Sequence, residues 1–159
     1  MDASVLQAQV ATRVAVTADV PAIVAGVSEL LRELGGRPAE PERLEAAARE
    51  LIGDPDAGVV LVAEEDGRIV GVLGASWQRA IRVPGRYGLI QELWVAPSHR
   101  RAQVGARLLD MLARVAHEHG IGRLEVGLPG ERFAQLAATE SFYARNAFEP
   151  VGLRMRRLL

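Results

Sequence analysis

Leu89-Ile90-Gln91-Glu92-Leu93-Trp94-Val95-Ala96-Pro97-Ser98-His99-Arg100-Arg101-Ala102-Gln103-Val104-Gly105-Ala106-Arg107-Leu108-Leu109 is the stretch on which the reading of this chain turns. An apolar strand runs to Val95 and ends at Pro97, which has no N–H to give to a ladder. Ser98 caps the helix that follows, whose Val104, Leu108, Leu112 and Val115 recur every three or four residues until Gly120. Between strand and helix lies a short turn with two arginines and small residues. Such a turn leaves amide N–H groups unpaired at the positive end of a helix dipole, and both favour an anion such as a pyrophosphate. A second reading stays open on these grounds alone, in which Gly105 serves close packing and the arginines are merely solvated.

Upstream, Val59 to Glu64 and Arg68 to Trp77 are apolar runs joined by Asp66-Gly67, the dipeptide of a tight antiparallel hairpin. A loop with Pro84-Gly85 leads to a third long strand, Tyr87 to Val95. Before the hairpin, Ala11 to Val16 alternates as a strand. Asp19 stands at an N-cap position just before Pro21, and Ile23, Val27, Leu30, Leu31 and Leu34 follow at helical spacing until Gly35-Gly36. A second amphipathic helix spans Pro41 to Ile52, with Gly53 as its stop. Downstream, Leu124 to Leu128 has no polar alternation, which suits a short strand covered on both faces. Glu131 to Asn146 reads as a helix and Phe148 to Leu158 as a final strand or pair. Residues 1 to about 9 lack periodicity and read as a loose tail. The order predicts an α/β protein with a mixed, mostly antiparallel central sheet flanked by helices.

The 159 residues suit one domain, residues 1–159. Nineteen Lys+Arg against 20 Asp+Glu leave a net charge of −1, so no global positive field draws nucleic acid or an anionic membrane. With no Cys there is no disulfide framework, thiolate metal site or Cys nucleophile. His117 and His119 are two apart and do not share a helix face, so no metal is expected; they suit a helix C-terminus, where a cation complements the dipole. Met1-Asp2-Ala3-Ser4 has no basic n-region and no apolar run reaches the roughly 18 residues of a membrane span, so the expected compartment is the cytoplasm.

The run from Arg100 resembles the acyl-CoA signature of the GNAT family, the Gcn5-related N-acetyltransferases: Arg or Gln, two variable residues, Gly, a variable residue, then Gly or Ala. Arg100 and Gly105 match, while Gln103 stands at the first glycine. Its N–H can still serve, provided that φ stays negative. Glu140-Ser141-Phe142-Tyr143-Ala144-Arg145-Asn146-Ala147-Phe148 is similar to the family's second landmark, a Phe-Tyr pair before Gly-Phe, with Ala147 in place of the glycine and Leu136 where an asparagine often stands. The element order resembles the family's over nearly the whole chain.

The resemblance implies acetyl-CoA as cosubstrate. Leu93, Trp94 and Val95 would hold its pantetheine arm through the main chain, and Arg100, Arg101, Ala102, Gln103, Val104, Gly105 and Ala106 would wrap the pyrophosphate. Tyr143 would sit near the thioester sulfur, where a phenol of pKa ~10 can protonate the leaving thiolate; the alternative is an aromatic packed in the core. Glu92 is the candidate base for the incoming amine, provided that burial raises it above ~4.3; otherwise it is solvated or ion-paired. Arg79, Arg82 and Arg86 either meet an anionic group or form a solvated loop or subunit contact. The expected acceptor is a primary amine of a small molecule, in the manner of aminoglycoside and aminoalkylphosphonate N-acetyltransferases. A protein amino terminus or lysine, an aminoacyl-tRNA, or non-catalytic acyl-CoA binding are the alternatives. A homodimer is expected through the apolar, arginine-studded edge at Val151 to Leu158.

Overall fold

The chain's computed structural model describes residues 9–159, so Met1 to Ala8 of the expected tail lie outside the described residues. Its elements run β1 (Ala11–Val14), α1 (Val20–Glu33), α2 (Pro41–Gly53), β2 (Gly58–Glu65), β3 (Arg68–Ala80), β4 (Val83–Val95), α3 (Val104–Glu118), β5 (Leu124–Val126) and α4 (Leu136–Arg145). The strands lie in the order β1-β2-β3-β4-β5. The first three pairings are antiparallel and β4–β5 is parallel, which is the mixed sheet the pattern predicts.

The alternation within each strand splits the core in two. Leu61, Leu73, Leu108 and Leu112 lie fully buried in one cluster, which also holds Val104, Ile121 and Tyr143 and forms where α3 packs on the sheet. Val62, Val72 and Trp94 point the other way, toward Ile23 and Val27 of α1 and Leu51 of α2. Burying each leucine stabilises the fold by roughly 1.5–3 kcal/mol. Gly26 lets α1 lie flat on Trp94, since a Cβ there would come within 2.6 Å of the indole Cε3.

Turn chemistry accounts for the joints. Asp66 (φ 49°) and Gly67 (φ 76°) both adopt the left-handed conformation of a tight hairpin turn. Gly35 (φ 71°) and Gly120 (φ 69°) follow the ends of α1 and α3. His117 falls in the last turn of α3, and His119 places Nδ1 2.9 Å from the Val115 carbonyl, so that nitrogen carries the proton.

Several expectations change. β4 begins at Val83, because Pro84 and Gly85 (φ 89°) are pushed out as a bulge between the pairs Arg79–Arg86 and Ala80–Val83. Ser98 does not cap α3: its Oγ bonds His99 Nδ1, a 3-10 turn covers Pro97–His99, and α3 starts at Val104. β5 is shorter than expected and half-buried, because it pairs with β4 alone. α4 starts at Leu136, after turns in which Phe133 N–H bonds the Gly130 carbonyl. The final strand does not form. Residues 149–159 have no ladder partner, and Leu153 and Met155 stand almost fully exposed.

Asp19 occupies the expected N-cap position, yet its carboxylate does other work. It accepts from Arg13 Nη1 and Nη2 at 2.7 and 2.9 Å and from Val16 N–H at 2.8 Å, while Arg13 also reaches Glu64 on β2 at 2.7 Å. This ties the entry of α1 to the first two strands. The Arg13 hydrogen bonds hold Asp19 below the usual carboxylate range against its own burial. Such stabilisation is present above the unfolded pKa and lost as pH falls through the lowered folded one. Asp19→Asn is expected to cost roughly 1–3 kcal/mol at neutral pH. The difference should shrink below pH ~4, which denaturant titrations at pH 7 and pH 3 would read.

Candidate active site

The register of β4 on β3 slips once inside the sheet. Glu92 faces Gly74 and Ile90 faces Ala75, so Gln91 is a surplus residue. A bulge of this kind turns two consecutive side chains to one face. Gln91 Nε2 donates to Ser76 Oγ at 2.8 Å, and the Glu92 carboxylate fills the space that a Cβ on Gly74 would need. Glu92 is half-buried and finds no ion pair or donor among the described residues. Burial alone pushes it up to about 7.

β5 pairs with β4 only at Gly88, Leu89 and Ile90. From Gln91 onward that edge of β4 has no strand beside it. Leu93 and Val95 send their side chains to the cluster under α3, and Trp94 sends its own under α1 with Nε1 buried and unpartnered. What β4 presents along its open edge is therefore main chain.

The loop from Arg100 to Ala106 follows directly. Arg101 (φ 72°) and Gln103 (φ 60°) both take the left-handed conformation, so the condition of a negative φ at Gln103 is not met, and its N–H is offered instead from the conformation of the glycine it replaces. Gln103 adopts the backbone that a glycine would adopt there, at the cost in strain of a Cβ close to the following carbonyl. Ala102 N–H bonds the His99 carbonyl, whereas no backbone acceptor among the described residues takes the N–H of Arg101, Gln103, Val104, Gly105 or Ala106. These amides lie at the positive end of the α3 dipole, an arrangement of donors that favours an anion. Gly105 also serves packing, because a Cβ there would come within 2.9 Å of the Phe142 ring. Both readings of Gly105 thus hold together: its side faces α4 while its N–H stays unpaired.

Two ties hold the loop down. His99 Nε2 lies 2.7 Å from Glu65 Oε2 at the end of β2, and Arg100 pairs with Glu33 of α1 while its Nε donates to the Val95 carbonyl at 3.0 Å. Tyr143 is buried, with Phe142 and Phe148 edge-on at centroid distances of 5.0 and 5.3 Å. Burial pushes its hydroxyl up to about 12. Phe142 links this aromatic group to the loop through Gly105.

Two arginines of the β3–β4 hairpin are engaged within the fold. Arg82 pairs with Glu125 at 3.4 Å and lies over the Tyr87 ring, and Arg86 donates to the Asp56 and His119 carbonyls, both at 3.4 Å. Arg79 is exposed. Sequence reasoning missed Gly74, Ser76, Gln91 and Glu65, because each matters only through a partner across the sheet or the turn. Among the described residues no cluster of three or more His, Asp or Glu could hold a metal, and no helix is long and apolar enough to cross a membrane.

A profile of the acetyltransferase (GNAT) family matches residues 25–148. An "IAA acetyltransferase" from Azospirillum brasilense is 34% identical over 134 residues, which are 82% of this chain and 83% of that protein. Among solved structures, a predicted acetyltransferase with acetyl-CoA from Clostridium acetobutylicum superposes with a TM-score of 0.78 at 17% identity, covering 94% of this chain and 96% of its own. An aminoglycoside N-acetyltransferase in complex with CoA gives 0.79 at 14% identity, with 95% of each chain covered. The two structures speak to the fold. The profile and the relative go further, and place this protein in the GNAT acetyltransferase family.

Proposed function

We propose that the protein is an acetyl-CoA-dependent N-acetyltransferase that acts on a primary amine of a small molecule, by direct attack of the amine in a ternary complex. The observation that carries this reading is Glu92: a carboxylate without a cation, lodged in the space left by Gly74 and titrating at about 7, on the strand that leads into an anion-binding loop. A group with that pKa is half ionised at neutral pH, which is where a general base is most effective.

The residues present fit the cosubstrate. The free main-chain edge of Leu93, Trp94 and Val95 suits an amide-bearing arm, and the N–H groups of Arg101, Gln103, Val104, Gly105 and Ala106 suit a pyrophosphate, with Arg100 and Arg101 at the rim. When bound, the thioester supplies an electrophilic acyl carbon and a thiolate leaving group. Glu92 takes the proton that an ammonium must lose before its nitrogen can form the C–N bond. Tyr143 meets the sulfur as the C–S bond breaks. A hydroxyl held at about 12 keeps its proton throughout the neutral range, and handing it fully to a thiolate of ordinary pKa ~8.5 runs uphill by roughly 5 kcal/mol. Burial therefore suits Tyr143 to donate a hydrogen bond to the developing charge. Self-association and a cytoplasmic location remain part of the proposal; the apolar residues of 151–159, exposed rather than in a strand, are the surface for the former.

Three outcomes check this. Acetyl-CoA is expected to raise the melting temperature, a stabilisation of roughly 2.7 kcal/mol at a hundredfold excess over Kd. Gln103→Gly should keep that shift and relieve the left-handed strain, whereas Gln103→Val, whose branched side chain resists φ near 60°, should weaken it. A loop that tolerates valine without loss of affinity would remove the amide cradle from the argument.

In a thiol-release assay, kcat/KM is expected to rise with pH through an apparent pKa near 7 as Glu92 ionises. Glu92→Gln should lose that limb, with a deficit that is largest well below the amine's own pKa and shrinks toward it. Tyr143→Phe should lower kcat by about 10² while acetyl-CoA affinity holds. An unchanged kcat would return Tyr143 to a packing role.

A further inference from the structure

The bulge that positions Glu92 also builds a polar floor beside it, which the reaction as described does not use. Ser76 lies two residues beyond Gly74 on β3, and so on the same face of the sheet. Its Oγ accepts from Gln78 Nε2 at 2.7 Å and from Gln91 Nε2 at 2.8 Å. With both amide nitrogens turned to the hydroxyl, planarity directs both amide carbonyl oxygens away from it, and each NH₂ keeps a second hydrogen. Gln91 is exposed and Ser76 and Gln78 are half-buried, so the floor is reachable. None of its three side chains is charged, and of the hairpin arginines Arg82 is committed to Glu125 and the Tyr87 ring while Arg79, cross-strand to Arg86, shares the opposite face with Trp77.

We infer that Ser76, Gln78 and Gln91 form the acceptor-binding floor beside Glu92, and that it selects a primary amine with a hydroxyl group on the neighbouring carbon over one that bears a carboxylate there. The inference rests on the acetyl-transfer reading of the site. A hydroxyl donates to one amide oxygen and accepts from the other amide's free N–H, so it matches both kinds of group on the floor. A carboxylate only accepts. It can take the two free N–H groups, but only by lying against Glu92 and two carbonyl oxygens with no charged partner on the floor, and desolvating a charge in that setting is costly.

The test compares initial rates with acetyl-CoA for two matched sets: ethanolamine, ethylamine and serine; and glucosamine with cyclohexylamine. The hydroxylated amine is expected to exceed its deoxy counterpart in kcat/KM by roughly tenfold, the worth of a hydrogen-bonded hydroxyl, and ethanolamine to exceed serine. Ser76→Ala and Gln91→Leu should collapse the hydroxyl-to-deoxy ratio toward one, with the acetyl-CoA melting shift showing that each variant is folded. A ratio near one in the parent protein, a preference for serine, or variants that lower both members of a pair equally would overturn the floor and leave the N-acetyltransferase reading standing. No thiol release with any amine, while acetyl-CoA still stabilises the fold, would overturn that reading and this inference with it.

Discussion

One surplus residue in β4 organises the site. Had β4 paired with β3 without a bulge, Gln91 and Glu92 would point to opposite faces, as neighbours in a strand do. With Gln91 extra, both turn to the α1 and α2 side of the sheet, and the residues after them keep the alternation that sends Leu93 and Val95 under α3. The arrangement needs a partner without a side chain, and Gly74 is that partner. It also coincides with the last residue that β5 pairs, so the strand is released on its free edge just where its side chains are re-aimed.

The two faces of the sheet then carry different tasks. Under α3 the apolar packing is continuous from Leu61 and Leu73 to Tyr143, and the aromatic contact of Phe142 on Gly105 couples α4 to the loop that precedes α3. On the other face α1 covers Trp94, while Gln91 is exposed and Ser76 and Gln78 are half-buried beside Glu92. An anion and an amine can thus approach the same strand without competing for one surface. Low dielectric on the first face keeps Tyr143 protonated; partial burial on the second keeps Glu92 poised between its two forms.

Much of this was legible in the sequence where the signal is local. Asp66-Gly67, Pro97 and the helical spacing from Val104 to Val115 speak through neighbours a few residues apart, and the structure agrees with them. The signature around Arg100 and the Phe142-Tyr143 pair pointed to the family. What escaped is non-local. Gly74 looks like any strand glycine until the register shows Glu92 opposite it, and Glu65 gains a role only through His99. Ser98 had the right chemistry for a cap but spends its hydroxyl on His99. The alternation of apolar residues and arginines after Phe148 has the period of a strand, yet a strand also requires a ladder partner, and periodicity contains no statement about one.

The pairing of Arg100 with Glu33 has a consequence for how the loop attracts its ligand. An arginine already neutralised by a carboxylate contributes little long-range field, so apart from Arg101 the pull on an anion would come from short-range amide dipoles fixed in place by the backbone. Mobile counterions screen separated charges over about 8–10 Å at ordinary ionic strength and leave such close dipoles nearly untouched. If an anion binds there, its affinity should therefore depend on added salt only to the extent that Arg101 contributes, and a loop built this way would discriminate mainly by shape.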